Sequence, residues 1–298
     1  MDLRQMDYFL RVARCRSITA AALELGLSQP TLTKSMRLLE EELGVVLFER
    51  LPRGVELTEY GQTLKRHAEA VNVQVRDALG EISARRAGSI GTVAIGAGPA
   101  WQTYVLPEAI SAALSKNPML RVKVITGYDD ALLQALRRGE LDFVVSGMPT
   151  RDNIDDLELT PLSLDRLGVC CRAGHPLTRR SSIAPEMLTE YGWAVLPERS
   201  WVQNRLRALF TTNNLPQPTI AVESESLVLL LQIAGQTDLL TYTARSTLTS
   251  PELVLLDMPR FTTDRDAGVI TRRNTWLSPA ALAIIDELRL LSVLRSSV

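Results

Sequence analysis

The chain is poor in the side chains that carry most enzymatic and metal chemistry. It has two histidines, His67 and His175, and three cysteines among 298 residues. One histidine falls inside a long helical pattern and the other in an Ala-Gly-His-Pro turn. There is no H-E-x-x-H and no paired C-x-x-C, which excludes the common zinc sets. A G-x-S-x-G nucleophile elbow and a G-x-x-x-x-G-K-[ST] phosphate loop are also missing. GAGPAW, from Gly96, lacks the third glycine of a dinucleotide fingerprint and carries Pro99. An enzyme built from this chain would have to work with Asp, Glu and Tyr alone, so no enzyme, metal or cofactor is expected. Three cysteines, two of them adjacent (Cys170 and Cys171), make no disulfide framework, and the adjacent pair reads as strand core.

Other absences bound the setting. No apolar run approaches the roughly 20 residues that cross a bilayer; the run near Leu227 to Leu231 stops at Gln232. MDLRQMDYFL lacks the basic segment and apolar core of an export signal. The expectation is a cytoplasmic protein with no membrane partner. Net charge is only -1, and residues 1–57 hold eight Lys/Arg against eight Asp/Glu. A nucleic-acid contact would therefore rest on how charges are arranged, not on their sum. What the chain does have is 46% apolar and 22% charged residues, enough to bury cores in two or more domains.

Residues 1–57 read as three helices and a hairpin. Leu3, Met6, Phe9, Leu10 and Ala13 line one face of the first helix. Thr19 is placed to cap a second helix through Ala20–Leu23, which Gly26 ends in a left-handed turn. Ser28 caps a third, with Pro30 in its first turn, where a missing N–H breaks no bond. In GLSQPTLTKSMRLLEEELG, Leu32, Met36, Leu39 and Leu43 form a buried stripe. Two helices joined by so short a glycine turn are a helix-turn-helix pattern. The flanks of Leu51-Pro52-Arg53-Gly54 read as a hairpin, or wing.

The start of the third helix is crowded with short polar side chains, and a helix entering the major groove leads with that end. Gln29 can bond adenine bidentately, and Thr31 and Thr33 can reach base edges or phosphates. Lys34 and Arg37 suit phosphate contacts, and Arg53 at the wing tip can reach neighbouring backbone.

From Thr58 to Arg86, Leu64, Ala68, Val71, Val75, Ala78 and Ile82 repeat at spacings of 4, 3, 4, 3 and 4. That seam suits a helix lying on its own domain or one that pairs with a second copy; pairing is favoured. Ala87-Gly88-Ser89-Ile90-Gly91 then reads as a hinge.

Beyond Gly91 strands alternate with helices, implying an α/β domain with parallel strands. VKVITGYDDALLQALRRGELDFVVSG, from Val122, is echoed by TIAVESESLVLLLQIAGQTDLLTYT, from Thr219. Gly139 and Asp142 match Gly235 and Asp238 in this echo. Two such units suggest two related lobes with a small-ligand cleft at the carboxyl ends of their strands.

SITAAALELGLSQPTLTKSMRLLEEELGVVLFER, from Ser17, and RGVELTEYGQTL, from Arg53, resemble the LysR-type transcriptional regulators. GTVAIGAGPA, GELDFVVSG and PLSLDRLGVCCRAGHPL are similar to that family's effector domain, so the resemblance spans essentially the whole chain. It implies an α/β protein with an N-terminal winged helix-turn-helix (1–57), a linker and dimerisation helix (58–87), a hinge (88–91) and a two-lobed, periplasmic-binding-protein-like effector domain. Lobe one would be 92–162 and 268–298, lobe two 163–267, with crossings near Leu162 and Ala267. It further implies double-stranded DNA, a second copy of the chain (homodimer, then homotetramer), a small-molecule effector and RNA polymerase as partners. The operator would be an interrupted inverted repeat. By position, Gln29, Pro30, Thr33, Lys34 and Arg53 match DNA-contacting sites. In the cleft, Pro99, Ala100 and Trp101 would follow the first strand, Gly127 and Tyr128 the second, and Gly147 the third. Trp201 and Val202 would begin a lobe-two helix, and Ser224 would follow a lobe-two strand. The family often has Ser or Thr where Gly98-Pro99-Ala100 stands, so carboxylate binding there would depend on backbone N–H groups. The two tryptophans would favour a flat or apolar effector. The competing reading is a cytoplasmic solute-binding module without sequence-specific DNA binding.

Overall fold

The computed structural model describes residues 1–87, 92–103, 105–148 and 154–296. The hinge expected at 88–91 lies outside the described residues. The chain divides into two compact units: Met1–Ser83 with the three residues Arg137–Gly139, and the remainder.

The first unit opens with α1 (Leu3–Cys15), capped reciprocally by Asp2 and Gln5. α2 (Ile18–Leu25) is capped by Ser17, whose Oγ accepts from the Ala20 N–H. Thr19, expected as that cap, is instead an exposed residue of the first turn, because helix geometry already begins at Ile18. Gly26 closes α2 at φ 65°, which a side chain adopts only with strain. α3 (Gln29–Leu43) starts at the Ser28 cap. Leu32, Met36 and Leu39 are buried with Phe9, Val12, Ala21 and Ala22, whereas Leu43, in the last turn, stays exposed. Arg11 and Arg14 of α1 both hold Glu24 of α2.

β1 (Phe48–Leu51) and β2 (Gly54–Leu57) form the wing, with Pro52 and Arg53 as its turn. The Glu40 carboxylate ties α3 to this hairpin by accepting from Leu47 N at 2.7 Å and Phe48 N at 3.2 Å. α4 (Glu59–Ala87) follows, with Thr58 Oγ1 accepting from Gly61 N. Leu64 and Ala68 of the expected seam join the core of this unit, while Leu79 and Ile82 are 59% and 61% exposed. Within one chain the seam is buried at its start, and its last member, Ile82, is exposed.

In the second unit, β3 (Thr92–Ala97), α5 (Leu106–Lys116), β4 (Arg121–Thr126), α6 (Asp129–Arg137) and β5 (Phe143–Gly147) build a lobe with parallel strand order β5-β3-β4. β6 (Leu157–Arg172) is 16 residues long and continues into a second lobe. There β7 (Trp193–Val195), α7 (Trp201–Thr212), β8 (Ile220–Glu223), α8 (Leu227–Gln236) and β9 (Thr241–Ala244) follow. β7 pairs parallel to β8, and Trp193 bridges Leu240 in parallel, so the order β9-β7-β8 repeats that of the first lobe. β10 (Leu253–Leu255), β11 (Thr263–Arg272) and α9 (Pro279–Ser296) complete the unit.

The expectation of parallel strands holds for β5-β3-β4 and for β7-β8 but not for the rest of the sheet. β11 runs antiparallel to both β6 and β5, and β9 and β10 pair antiparallel with β6. A chain that leaves a lobe and comes back must return in the opposite direction, and β6 and β11 are those two passes. Their register shifts between Ala267 and Gly268. A Cβ on Gly268 would lie 2.2 Å from the Thr160 carbonyl oxygen, so only glycine lets the two strands approach there.

Each lobe has its own core. Ile95, Phe143 and Val145 pack under Leu106 of α5 and Ile284 and Leu288 of α9. Trp193, Phe210 and Phe261 stack edge to face at 5.5 Å in the second lobe. Cys170 and Cys171 are buried beside β9 and β10, and burial pushes each thiol up to about 12.

Candidate nucleic-acid interface and inter-lobe cleft

The buried stripe of α3 turns its opposite, polar side outward. Ser28, Gln29, Pro30, Thr31, Lys34 and Arg37 are exposed and Thr33 is half-buried. Gln29, Pro30, Thr33, Lys34, Arg37 and Leu38 outline one shallow concavity. Gln29 Nε2 donates to Thr33 Oγ1 at 3.2 Å, one turn on, which holds the amide along the helix start. Thr31 stands apart from this group; its hydroxyl shares a 2.7 Å hydrogen bond with the capping Ser28. Arg37 Nε is 2.7 Å from Glu41, so part of its charge is already offset. Lys34 carries its charge at the positive end of the helix dipole, where it suits a phosphate. Arg53 is exposed at the wing turn.

The second site lies in the second unit, between its lobes, with about 520 Å³ of unfilled space including the open mouth. Of the residues expected there, Pro99, Ala100, Trp101, Tyr128, Gly147, Trp201 and Val202 line it. Gly127 and Ser224 do not. A Cβ on Gly127 would meet Leu132 at 3.0 Å, so this glycine accommodates α6 packing. Ser224 Oγ is spent in its own loop, accepting from Ser226 N at 3.1 Å.

Sequence reasoning missed the polar heart of the cleft: Asp129, Ser146, Thr243 and above all Arg265. Arg265 comes from β11, two residues before the crossing, and its Cζ lies 4.6 Å from the Trp201 ring centroid. Its Nη1 is 4.0 Å from Asp129 Oδ2, across the cleft on lobe one. Its Nε is buried with no hydrogen-bond partner in the protein, and so is the Tyr128 hydroxyl. Asp165, opposite Arg265 on the ladder, is 6% exposed and accepts from Ser246 at 3.1 Å. Burial raises the carboxyl pKa of both Asp129 and Asp165, against the lowering pull of Arg265 on each. A signal was available: Arg265, Ala267 and Val269 share one face of the strand, and a charge there points inward.

A winged helix-turn-helix with a polar reading edge, on the same chain as a two-lobed α/β unit with a polar cleft, defines the class of ligand-binding DNA regulators. Comparison with known proteins narrows it. Residues 3–62 match the bacterial regulatory helix-turn-helix proteins of the LysR family, and residues 86–291 match the LysR substrate binding domain. The regulator GbpR of Azospirillum brasilense is 30% identical, covering 97% of this chain and 86% of its own. PcaQ of Agrobacterium fabrum is 32% identical over 76% of this chain and 73% of its own. A full-length OxyR point variant of Pseudomonas aeruginosa superposes with a TM-score of 0.68 at 25% identity, covering 97% of this chain and 95% of that one. A full-length CbnR solved with its target DNA shares the fold, with a TM-score of 0.61 at 21% identity over 98% of this chain and 100% of its own. The chain belongs to the LysR family: it is a DNA-binding transcriptional regulator with an effector-binding domain, and its relatives are named as regulators, not enzymes.

Among the described residues no helix is long and apolar enough to cross a membrane.

Proposed function

We propose that two copies of this chain pair through α4 and set their α3 helices on the halves of an interrupted inverted repeat. Two such pairs form a tetramer, and a small molecule bound between the lobes changes its arrangement on DNA and its contact with RNA polymerase. Gln29 reads a base edge, with Pro30 and Thr33 shaping its approach; Lys34, Arg37 and Arg53 hold phosphates. Thr31, bonded to the cap, sets the helix start. The cytoplasm is the setting this activity requires, and the chain supplies the regulation without a cofactor or metal.

The observation that carries this reading is the α3 concavity, in which the exposed Gln29 and Lys34 stand over a buried apolar stripe. Gln29→Ala should cost about 1–3 kcal/mol on the specific site and relax sequence preference at one position. Lys34→Ala should weaken all sequences alike and flatten the salt dependence by about one unit of slope. Titration of operator and scrambled DNA across a salt series separates the two. Wild-type affinity in both variants would remove α3 as the reading element.

The cleft supports the effector half of the reading. Its polar lining comes from both lobes, so a ligand bonded to Asp129 and stacked near Trp201 joins them and favours a closed arrangement.

A further inference from the structure

The cleft lining has one cation, Arg265, and one carboxylate, Asp129; a second carboxylate, Asp165, faces Arg265 on the ladder outside that lining. Arg265 is the only basic side chain lining it among the described residues. Its charge is shared between Asp129 at 4.0 Å and Asp165 across the ladder. A carboxylate ligand would have to enter beside Asp129 and compete with it and with Asp165 for the guanidinium. Burial makes each of those groups costly to leave unpaired.

The helix starts around the cleft do not supply what the side chains lack. The first-lobe turn after β3 opens with Pro99, which has no N–H, and Gly98 and Ala100 carry no hydroxyl. α6 meets its own dipole with Asp129 and Asp130. At α7, Ser200 Oγ accepts from Val202 N at 3.2 Å, and at α8 Ser226 Oγ accepts from Leu229 N at 3.3 Å. Each of those caps takes one N–H of its helix start, and the one cation of the lining is already shared with Asp129, so an anion finds no unshared charge there.

What remains unpaired is of a different kind. Arg265 Nε and the Tyr128 hydroxyl are buried donors with no partner in the protein. Asp129 stands beside the guanidinium as an acceptor, its long 4.0 Å ion pair leaving room for a hydrogen bond. A donor beside an acceptor matches a ligand whose neighbouring groups both give and take a hydrogen bond. Vicinal hydroxyls do this: one donates to the carboxylate while the next accepts from the guanidinium. We infer that the cleft takes an uncharged, polyhydroxylated small molecule, held by its adjacent hydroxyls between Asp129 and Arg265, and rejects the matching carboxylate. This rests on the cleft being the effector site.

Matched pairs test it on the full-length protein by calorimetry: D-glucose against D-glucuronate, D-galactose against D-galacturonate, with myo-inositol and glycerol as further neutral probes. At least one neutral polyol should bind, and its acid partner should bind more weakly by about tenfold or more, the worth of one charge-assisted hydrogen bond. Asp129→Asn should weaken the neutral probe and narrow the gap to the acid. No binding by any neutral probe, or an acid that binds as tightly as its neutral partner, overturns the inference. Ala100→Trp, which fills the cleft, separates the two layers, with operator binding as the control for folding. An acid lost in Ala100→Trp would leave the cleft as the effector site and sink only the ligand class. A probe that still binds Ala100→Trp would sink the cleft itself.

Discussion

Gly147 and Arg265 occupy one space: a Cβ added at Gly147 would lie 2.1 Å from Arg265 Cζ. The glycine ends β5 so that the guanidinium can lie between Asp129 and the Trp201 ring. Since the obstructing atoms are the far end of a flexible side chain, Gly147→Ala should fold and displace Arg265. Effector binding should fall by about tenfold or more as the cation–π contact and the Asp129 pairing are lost. Operator affinity without effector should stay at the wild-type value. Calorimetry beside DNA titration checks both halves, and undiminished effector binding would mean Arg265 is not part of the ligand shell.

The α3 start depends on its cap. Ser28 Oγ accepts from Thr31 N at 3.3 Å and bonds the Thr31 hydroxyl. Ser28→Ala should cost about 1 kcal/mol of stability in the first unit. Operator affinity should drop more than that loss of folded protein explains, because Thr31 loses its anchorage at the helix start that carries Gln29. Denaturant midpoints of the full chain give the first number; DNA titration gives the second.

Pairing through α4 should rest on its exposed apolar residues. Leu79 and Ile82 are uncovered within one chain, whereas Leu64 and Ala68 are spent in the core of the first unit. Leu79→Asp with Ile82→Asp would put unpaired charges into an apolar contact while leaving the single chain intact. Sedimentation should show smaller assemblies with unchanged helical content. An unaltered oligomer would move the pairing surface off this part of α4.

His175 sets a pH limit on the second lobe. The ring is fully buried; Nδ1 accepts from Leu177 N at 3.1 Å, and Nε2, the protonated nitrogen in that arrangement, reaches Asp238 O at 3.2 Å. The neutral ring satisfies both partners, and a second proton would face the Leu177 N–H. Burial lowers its pKa below 6.5, with Arg172 adding to the effect and Asp238 opposing it. The unfolded chain then binds the proton more readily than the folded one. The stabilisation is complete above pH 6.5 and drains away as pH falls from there through the folded value. Urea midpoints measured from about pH 7 to about pH 5 should decline. His175→Asn, which keeps an acceptor but cannot titrate, should flatten that decline.

Much of the first unit is legible in the sequence because its determinants are local. Gly26 and Ser28 punctuate helices within a few residues, and the stripe Leu32, Met36, Leu39 is one face of one helix. The Thr19 cap fails on the same scale, because Ser17 and Thr19 are both suitable side chains and only the backbone chooses between them. The cleft is half legible. The family resemblance places Pro99–Trp101, Tyr128, Trp201 and Val202 at the cleft, and they line it. It places Ser224 there too, yet that hydroxyl turns back into its own loop.

Local pattern was enough for the parts: a capped helix with a polar leading edge, a long apolar seam, and two strand–helix–strand units of one design. Those depend on neighbours three or four residues apart, or on alternation along a strand. Long-range packing was needed to bring Arg265 to Asp129, 136 positions earlier in the chain, and to turn the guanidinium onto Trp201. That meeting requires β6 and β11 to pair between the lobes, with their register shift placed where Gly268 lets them close. A sequence pattern can mark an inward charge, but only the packed strands say which charge it faces.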